Sequence, residues 1–124
     1  MRLRRSRLEE FFHKKMSVKK DREGGTSEEY GAASSITGEI WPASGKVQAE
    51  QYGQRLNYIR NVRMQGSYKI QADEKGRLHY ILEDGTDVEE RDGICLYVAA
   101  DQSPDYRIIS IKPYRFLTLE VEKI

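Results

Sequence analysis

The chain has 124 residues, and its 21 Lys and Arg nearly balance its 20 Asp and Glu, so a third of it is charged while the net charge is +1. This length suits one domain with a modest core and is too short for two. No stretch approaches the roughly 20 apolar residues of a membrane-spanning helix. The basic start has no apolar h-region, so we expect no export signal. The single Cys95 forms no internal disulfide, which agrees with a reducing compartment.

The near-zero net charge hides a segregation of charge along the chain. Residues 1–22 hold nine Lys or Arg and three acids, a local charge of +6, whereas residues 73–105 hold ten acids and three bases, a local charge of −7. Runs of this kind are common in solvated tails and loops. A basic arm on one copy could instead meet an acidic stretch on another, which would favour ordered association.

The first half of the chain predicts one strand, one loop and one helix. Phe11-Phe12-His13 followed by Met16-Ser17-Val18 favours a first strand from about residue 11, although residues 4–15 also suit a short helical turn. Residues 22–35 are rich in Gly, Ser, Thr and Glu, which predicts a flexible loop. Between Gly45 and Gly53 almost every residue is a good helix former, and Ser44 is placed to cap the helix.

The second half is dominated by alternation of period two, the mark of half-buried strands. Residues 55–65 predict a long strand and residues 68–83 a hairpin that turns at Asp73-Glu74-Lys75-Gly76, with a second turn at Glu83-Asp84-Gly85-Thr86. Core positions are predicted for the tyrosines in the apolar phase of these strands, Tyr58, Tyr68 and Tyr80.

Three further strands are predicted toward the C-terminus. Ile94–Val98 is a short apolar run, Tyr106–Lys112 is β-branched and ends at Pro113, and Leu117, Leu119 and Val121 alternate with Thr118, Glu120 and Glu122. Six or seven short strands with one short helix predict a mainly β fold, a small antiparallel barrel or sandwich with long mobile loops. We expect one domain over residues 1–124, with a basic arm over about residues 1–10.

Residues that carry catalytic or metal chemistry are few. The two histidines, His13 and His79, and Cys95 have no chelating spacing. His79 falls on the predicted outer face, and Cys95 lies in an apolar strand where a thiol is buried and inert. The acidic run of residues 83–92 is not an EF-hand loop. We therefore expect no enzyme activity, no metal and no cofactor.

Aromatic content favours contacts with macromolecules instead. Eight tyrosines and one tryptophan combine apolar area with a polar handle, which suits interfaces. One interpretation is a small barrel that binds nucleic acid, with Arg2 to Lys20 on phosphates and tyrosines stacked on bases. The near-neutral net charge argues against it, because nucleic-acid binders usually carry a basic face.

Several short motifs in the sequence resemble those of a known family. Glu29-Tyr30-Gly31 precedes the strand Thr37-Gly38-Glu39-Ile40-Trp41-Pro42, and Ala43-Ser44-Gly45-Lys46 then leads into Ala49-Glu50-Gln51-Tyr52-Gly53. This order resembles the small head-tail adaptor, or head-completion, proteins of long-tailed bacteriophages and related prophages, with "D/E-x-Y-G", "a-x-I-x-P-x-S-G" and "x-x-x-A-x-Q" motifs. The strand at residues 105–111 and the closing strand at 117–124 also resemble that family. Residues 67–92 and the long basic start go beyond its pattern.

The resemblance implies a structural role. Such proteins are small β-barrels that form a ring of about twelve copies beneath the portal of a DNA-filled head, although the isolated subunit is expected to be a monomer. The ring extends and helps to close the DNA channel and provides the platform on which the tail, through its terminator protein, docks. DNA passes through without sequence-specific binding, and no membrane is involved. The expected location is the bacterial cytoplasm during assembly and then the neck of the virion.

Three groups of residues are candidates for the contacts of such a subunit. The resemblance assigns the channel loop, or plug, to Ala43, Ser44, Gly45, Lys46, Val47, Gln48, Ala49, Glu50, Gln51, Tyr52, Gly53 and Gln54. The acidic loop, a candidate for lumen or subunit contact, holds Glu83, Asp84, Asp87, Glu89, Glu90 and Asp92. The basic arm, a candidate for partner contact, holds Arg2, Arg4, Arg5 and Arg7.

Overall fold

The computed structural model describes residues 7–124. Within them nine strands form two sheets, and one α-helix lies between two of the strands. The strands are β1 (Glu9–Lys20), β2 (Thr26–Pro42), β3 (Ile59–Met64), β4 (Tyr68–Ala72), β5 (Leu78–Leu82), β6 (Asp87–Val88), β7 (Gly93–Cys95), β8 (Tyr106–Pro113) and β9 (Leu117–Lys123). Helix α1 (Lys46–Tyr52) and a 3-10 helix (Gly53–Tyr58) connect β2 to β3. Neither helix is long and apolar enough to cross a membrane.

Six of the strands close into an antiparallel barrel in the order β1-β2-β3-β9-β8-β7. The barrel closes where β1 pairs with β7, from Phe12↔Cys95 to Lys14↔Gly93. The other three strands, β4-β5-β6, form a second sheet that is inserted in the chain between β3 and β7. The predicted small antiparallel barrel with one short helix is therefore confirmed. The described residues contain nine strands rather than the six or seven predicted, and the strand with no counterpart in the prediction is the two-residue β6, which pairs with β5.

Alternating side chains of the barrel strands fill its interior, and the hairpin sheet adds to the same core. The buried apolar residues of this cluster are Phe11, Ile36, Val62, Met64, Tyr80, Val88, Ile94, Leu96, Tyr106, Ile108, Ile111, Leu117, Leu119 and Val121. Cys95 is buried, and burial raises the pKa of its thiol, so the prediction of a buried cysteine is confirmed. At Gly38 a Cβ atom would collide with the backbone oxygen of Arg63, so only glycine allows β2 and β3 to approach this closely.

The hairpin predicted over residues 68–83 is confirmed. β4 and β5 pair from Tyr68↔Leu82 to Ala72↔Leu78. The carboxylate of Asp73 accepts the backbone N–H groups of Lys75 and Arg77, and Gly76 takes a φ of +79°, which is the turn chemistry that the sequence predicts. Tyr80 is buried and Tyr68 half-buried, as expected for the apolar phase.

The loop predicted over residues 22–35 is wrong as secondary structure. β2 begins at Thr26, and it pairs with β1 from Lys20↔Thr26 to Glu9↔Gly38 with one β-bulge between Lys14 and Met16. The turn between the strands is short, because the Asp21 carboxylate accepts the N–H groups of Glu23 and Gly25. Cross-strand backbone hydrogen bonds, which the polar composition does not reveal, hold this segment.

The long strand predicted over residues 55–65 is half wrong. β3 starts at Ile59, and residues 53–58 form the 3-10 helix. Tyr58, predicted to be in the core, is 57% exposed. Leu56 and Ile59 are three residues apart, a spacing that also fits a helical turn, so alternation was an ambiguous signal here.

Two smaller predictions are also corrected. The strand expected over 94–98 is only Gly93–Cys95, because the Asp105 carboxylate takes the N–H groups of Leu96 and Tyr97 and ends the pairing. Ser44 does not cap α1 with its side chain, and Gly45 occupies the cap position. Instead the Ser44 N–H donates to the side-chain oxygen of Gln48.

Candidate functional site

Helix α1 covers one patch on the outer face of the barrel, and a carboxylate is buried beneath it. Glu120 lies in β9 between the core residues Leu119 and Val121, so its side chain points away from the barrel interior, yet it is 0% exposed. Gln48 of α1 donates from Nε2 to Glu120 Oε2 at 2.8 Å, and Lys112 Nζ lies 3.2 Å from Oε1. The sequence predicted the face of Glu120 and not its cover.

The environment of Glu120 keeps it charged. Burial raises the pKa of this carboxyl group, but hydrogen bonds from Gln48, Lys112 and Tyr52 together outweigh burial and hold its pKa below the usual value. Burial, followed by the hydrogen bond to Glu120, raises the pKa of Tyr52 to about 12. The Tyr52 hydroxyl therefore keeps its proton throughout the physiological range.

Polar side chains also hold α1 to the neighbouring strand. Gln48 and Asn61 of β3 exchange two amide hydrogen bonds, with Gln48 Nε2 donating at 2.7 Å and Asn61 Nδ2 donating at 3.2 Å. Just after the helix, Arg55 makes two hydrogen bonds of 2.7 Å to the Glu122 carboxylate. No residue of α1 is buried, and Val47 is 76% exposed. The helix is thus fixed in position while its outer side chains face solvent.

The twelve residues predicted as the channel loop therefore divide by role. Ala43 is buried, and Gln48 and Tyr52 are half-buried and contact the barrel. The exposed members are Ser44, Gly45, Lys46, Val47, Ala49, Glu50, Gln51, Gly53 and Gln54. A contact outside the chain would be made by these nine.

A second buried carboxylate, Asp92, joins β1 to the segment after β6. Asp92 is 1% exposed and accepts the backbone N–H groups of Met16 at 3.1 Å and Glu89 at 3.0 Å. His13 Nε2 lies 2.7 Å from Asp92 Oδ2, and Lys15 Nζ lies 3.4 Å from the same oxygen. Asp92 is thus an internal anchor and not the lumen residue proposed from the sequence.

His79 connects the hairpin sheet to the same region through carboxylates. Its Nδ1 lies 2.9 Å from both oxygens of Asp87, and its Nε2 lies 3.0 Å from Asp73 and 3.6 Å from Glu89. Hydrogen bonds to Asp73 and Asp87 raise the pKa of His79, and the bond to His79 lowers the pKa of Asp73 to about 2. Both ring nitrogens face carboxylates, which suits the imidazolium ion.

These side chains also form a candidate cation site. Asp73, His79 and Glu89 each offer one ligand atom, and the three atoms lie within 4.8 Å of one another. Lys15 Nζ already lies 3.0 Å from Glu89 and 3.4 Å from Asp87. A metal ion would have to displace the proton of His79 and compete with this ammonium group, so the arrangement fits an ion-pair network better than a metal centre.

The rest of the acidic loop is dispersed. Glu83 accepts the N–H and hydroxyl of Ser67, Asp84 accepts the N–H of Thr86, and Glu90 is exposed. Asp87, Glu89 and Asp92 meet His79, Lys15 and His13 of their own chain. The basic start and the acidic segment predicted to meet between copies thus already meet, in part, within one chain.

The first two strands extend beyond the barrel as a two-stranded ribbon. Every residue from Ser17 to Glu29 is exposed, and Val18 is 59% exposed. A groove of about 560 Å³ opens between β1 and β5, lined by Met16, Val18, Leu78, Tyr80 and Arg91 among others. Of the predicted basic arm, Arg7 is exposed, and Arg2, Arg4 and Arg5 lie outside the described residues.

Comparison with protein-family models, with curated proteins and with solved structures gives no match. Sequence reasoning missed Glu120 and the ribbon, and it placed Asp92 in the acidic loop without its buried role. No local signal identifies Glu120 as covered, because a polar residue between two core residues is equally the pattern of a strand whose outer face is in solvent. The charged strand ends at Lys19-Lys20 and Glu28-Glu29 could have indicated the ribbon.

Proposed function

We propose that the chain is a structural head-tail connector subunit of a phage or prophage. It would assemble as a ring of about twelve copies beneath the portal, extend and help to close the DNA channel, and provide the surface on which the tail docks. The closed antiparallel barrel and the family motifs at residues 29–53 support this proposal. It would be assembled in the host cytoplasm and act at the virion neck.

The observation that carries the proposal is the exposed helix α1. The resemblance assigns the segment Ala43–Gln54 to the channel, and this segment carries a helix with no buried residue that is fixed to the barrel through Gln48. A short helix contributes little stability in isolation, and one without an apolar buried face adds little to the core. Its fixed position and exposed outer side are suited to contact with something outside the chain.

The charges on this surface agree with a channel that does not bind DNA tightly. The exposed part of the segment carries one cation, Lys46, and one anion, Glu50. Phosphate contacts by Lys and Arg make binding tight and dependent on salt, and a balanced pair avoids such contacts. In the proposed ring, DNA would pass these helices without being held.

The proposal is tested in the phage or prophage that encodes the chain. Deletion of the gene is expected to give heads that package DNA, lose it and bind no tails, and the wild-type gene restores tailed, DNA-filled particles. Particles that are complete without the gene product would overturn the proposal. Tight binding of duplex or single-stranded DNA by the purified protein at low salt, lost when residues 1–10 are removed, would instead favour the nucleic-acid-binding alternative.

The channel segment is tested with a substitution that leaves the anchors in place. Removing all of Val47–Tyr52 would also remove the cover of Glu120 and two of its partners, Gln48 and Tyr52, and leave only Lys112. Val47→Asp changes only an exposed side chain, and it is expected to give tailed particles that retain less DNA. The matched control is Lys75→Asp in the exposed β4–β5 turn, which should retain DNA normally. Equal retention in both variants would contradict the channel assignment.

A further inference from the structure

The ribbon of β1 and β2 extends past the last contact of either strand with the rest of the barrel sheet. Beyond Met16↔Tyr30 the two strands continue for four more residue pairs to Lys20↔Thr26, which at about 3.3 Å per residue projects them by roughly 13 Å. Both faces of the ribbon are in solvent, since Ser17–Glu29 is exposed throughout. A two-stranded hairpin is at best marginally stable alone in water, so a partner would add stability.

Both edges of the ribbon have unpaired backbone groups. On the outer side of β1, pairing with β7 ends at Lys14, and the Met16 N–H donates to Asp92. Backbone groups alternate sides along a strand, so the N–H of Val18 points outward as well, and no partner for it is found among residues 7–124. On the outer side of β2, pairing with β3 begins only at Gly38. Open edges of this kind are templates for another strand.

The charges of the two edges are opposite. Beyond the barrel β1 carries Lys19 and Lys20, and β2 carries Glu28 and Glu29; Lys19 and Glu29 lie 3.6 Å apart across the same ribbon and are both exposed. A twofold contact that paired β1 with β1, or β2 with β2, would bring like charges together, which is destabilising. A contact between β1 of one copy and β2 of the next brings opposite charges together. Such a contact uses two different surfaces, so it continues from copy to copy and closes into a ring or an open chain.

We propose that the ribbon binds a second copy of this chain head to tail, with the edge of β1 near Val18–Lys20 against the edge of β2 near Thr26–Glu29. When neighbouring ribbons point in the same direction, this pairing is antiparallel and extends the sheet as β1-β2-β1-β2. The inference rests on the proposed function only in taking a closed ring as the final assembly. Because only the four residue pairs beyond Met16↔Tyr30 offer this edge, we expect a weak contact, with a monomer at micromolar concentration and association at millimolar concentration.

The test exchanges the charges of both strands. The variant K19E/K20E/E28K/E29K keeps opposite charges within its own ribbon and between identical copies, but it sets like charges against wild-type neighbours on both edges. With fluorescent labels at the C-terminus, energy transfer at millimolar concentration and low salt is expected for wild type with itself and for the variant with itself. Energy transfer between wild-type and variant molecules is expected to be several-fold lower when the two are mixed. Equal transfer in the mixture, or no association of the wild type, would overturn the proposal.

A second pair of variants tests the backbone contact. Val18→Pro removes the outward N–H group without touching the bonds to β2, whereas Val18→Thr keeps it. Association should be lost in the first variant and kept in the second, with both folded by circular dichroism. If association is equal in both, or lost in both, the edge contact is refuted. The two proposals can fail separately. If energy transfer falls in the mixture but particles are normal after gene deletion, the connector function is rejected and this contact stands. If transfer is unchanged in the mixture but gene deletion gives tailless particles that lose DNA, only the contact is rejected.

Discussion

Two carboxylates of this molecule are fully buried, and they differ in the groups that contact them. Glu120 is covered by α1 and meets the amide of Gln48, the hydroxyl of Tyr52 and the ammonium of Lys112. Asp92 lies in the segment between β6 and β7, and its side chain contacts β1.

The partners of Asp92 include two backbone N–H groups, those of Met16 and Glu89, together with the ring of His13. In both places a buried carboxylate attaches a connecting segment to a barrel strand: α1 to β9 at Glu120, and residues 89–92 to β1 at Asp92. The Asp92 anchor fixes backbone, whereas the Glu120 anchor fixes side chains. The comparison predicts that removing the Asp92 carboxylate destabilises the whole fold, whereas removing the Glu120 charge affects mainly α1.

The largest effect is expected at Asp92. Asp92→Ala leaves the N–H groups of Met16 and Glu89 and the buried ring of His13 without their acceptor, and breaking a buried pair such as His13–Asp92 costs about 3–5 kcal/mol. Urea unfolding followed by Trp41 fluorescence measures the free energy of unfolding. The control is Glu90→Ala, an exposed neighbour, for which a change within about 0.5 kcal/mol is expected. A loss at Asp92 as small as that of the control would show that the buried anchor contributes little.

A smaller and more local effect is expected at Glu120. Glu120→Gln keeps the shape but removes the charge that Gln48, Tyr52 and Lys112 contact, and a hydrogen bond to a charged group contributes about 1.5–3 kcal/mol. Hydrogen exchange should therefore rise in α1, while that of β8 and β9 stays unchanged. The control Glu50→Gln lies on the exposed side of the same helix and should change neither. Equal exchange of α1 in both variants would contradict the anchor.

The two anchors also mark how far the sequence predicts this molecule. Alternation in β9 predicted correctly that Leu119 and Val121 face the core and that Glu120 faces away. The helix formers of residues 46–52 predicted α1. Nothing local states that α1 lies over Glu120, because that contact joins residues 72 positions apart. Sequence periodicity reports burial, and it does not report which element provides the cover.

The ribbon failed to be predicted for a related reason. Hydrophobic alternation identifies strands that bury one face, and Ser17–Glu29 buries neither. The polar composition of residues 22–35 therefore indicated a loop, although backbone pairing with β1 makes most of it a strand. The candidate channel segment was placed by family motifs, but its division into anchoring and exposed residues required the three-dimensional contacts.

The smallest effect is expected at His79, whose ion pairs with Asp73 and Asp87 make their contribution to stability depend on pH. The pKa of His79 is raised in the folded protein, by Asp73 and Asp87 first, so its ion pairs contribute stability that is fully present below the unfolded pKa near 6.5. This contribution is lost as the pH rises through the higher folded pKa. The free energy of unfolding of the wild type should thus exceed that of His79→Gln most near pH 5.5, and this difference should shrink by pH 9. The difference in unfolding free energy between the wild type and Glu120→Gln should stay constant over that range, because Glu120 is ionised throughout it. Urea unfolding at the two pH values measures both differences, and an advantage of His79 that grows with pH would mean that the ring is neutral when it binds these carboxylates.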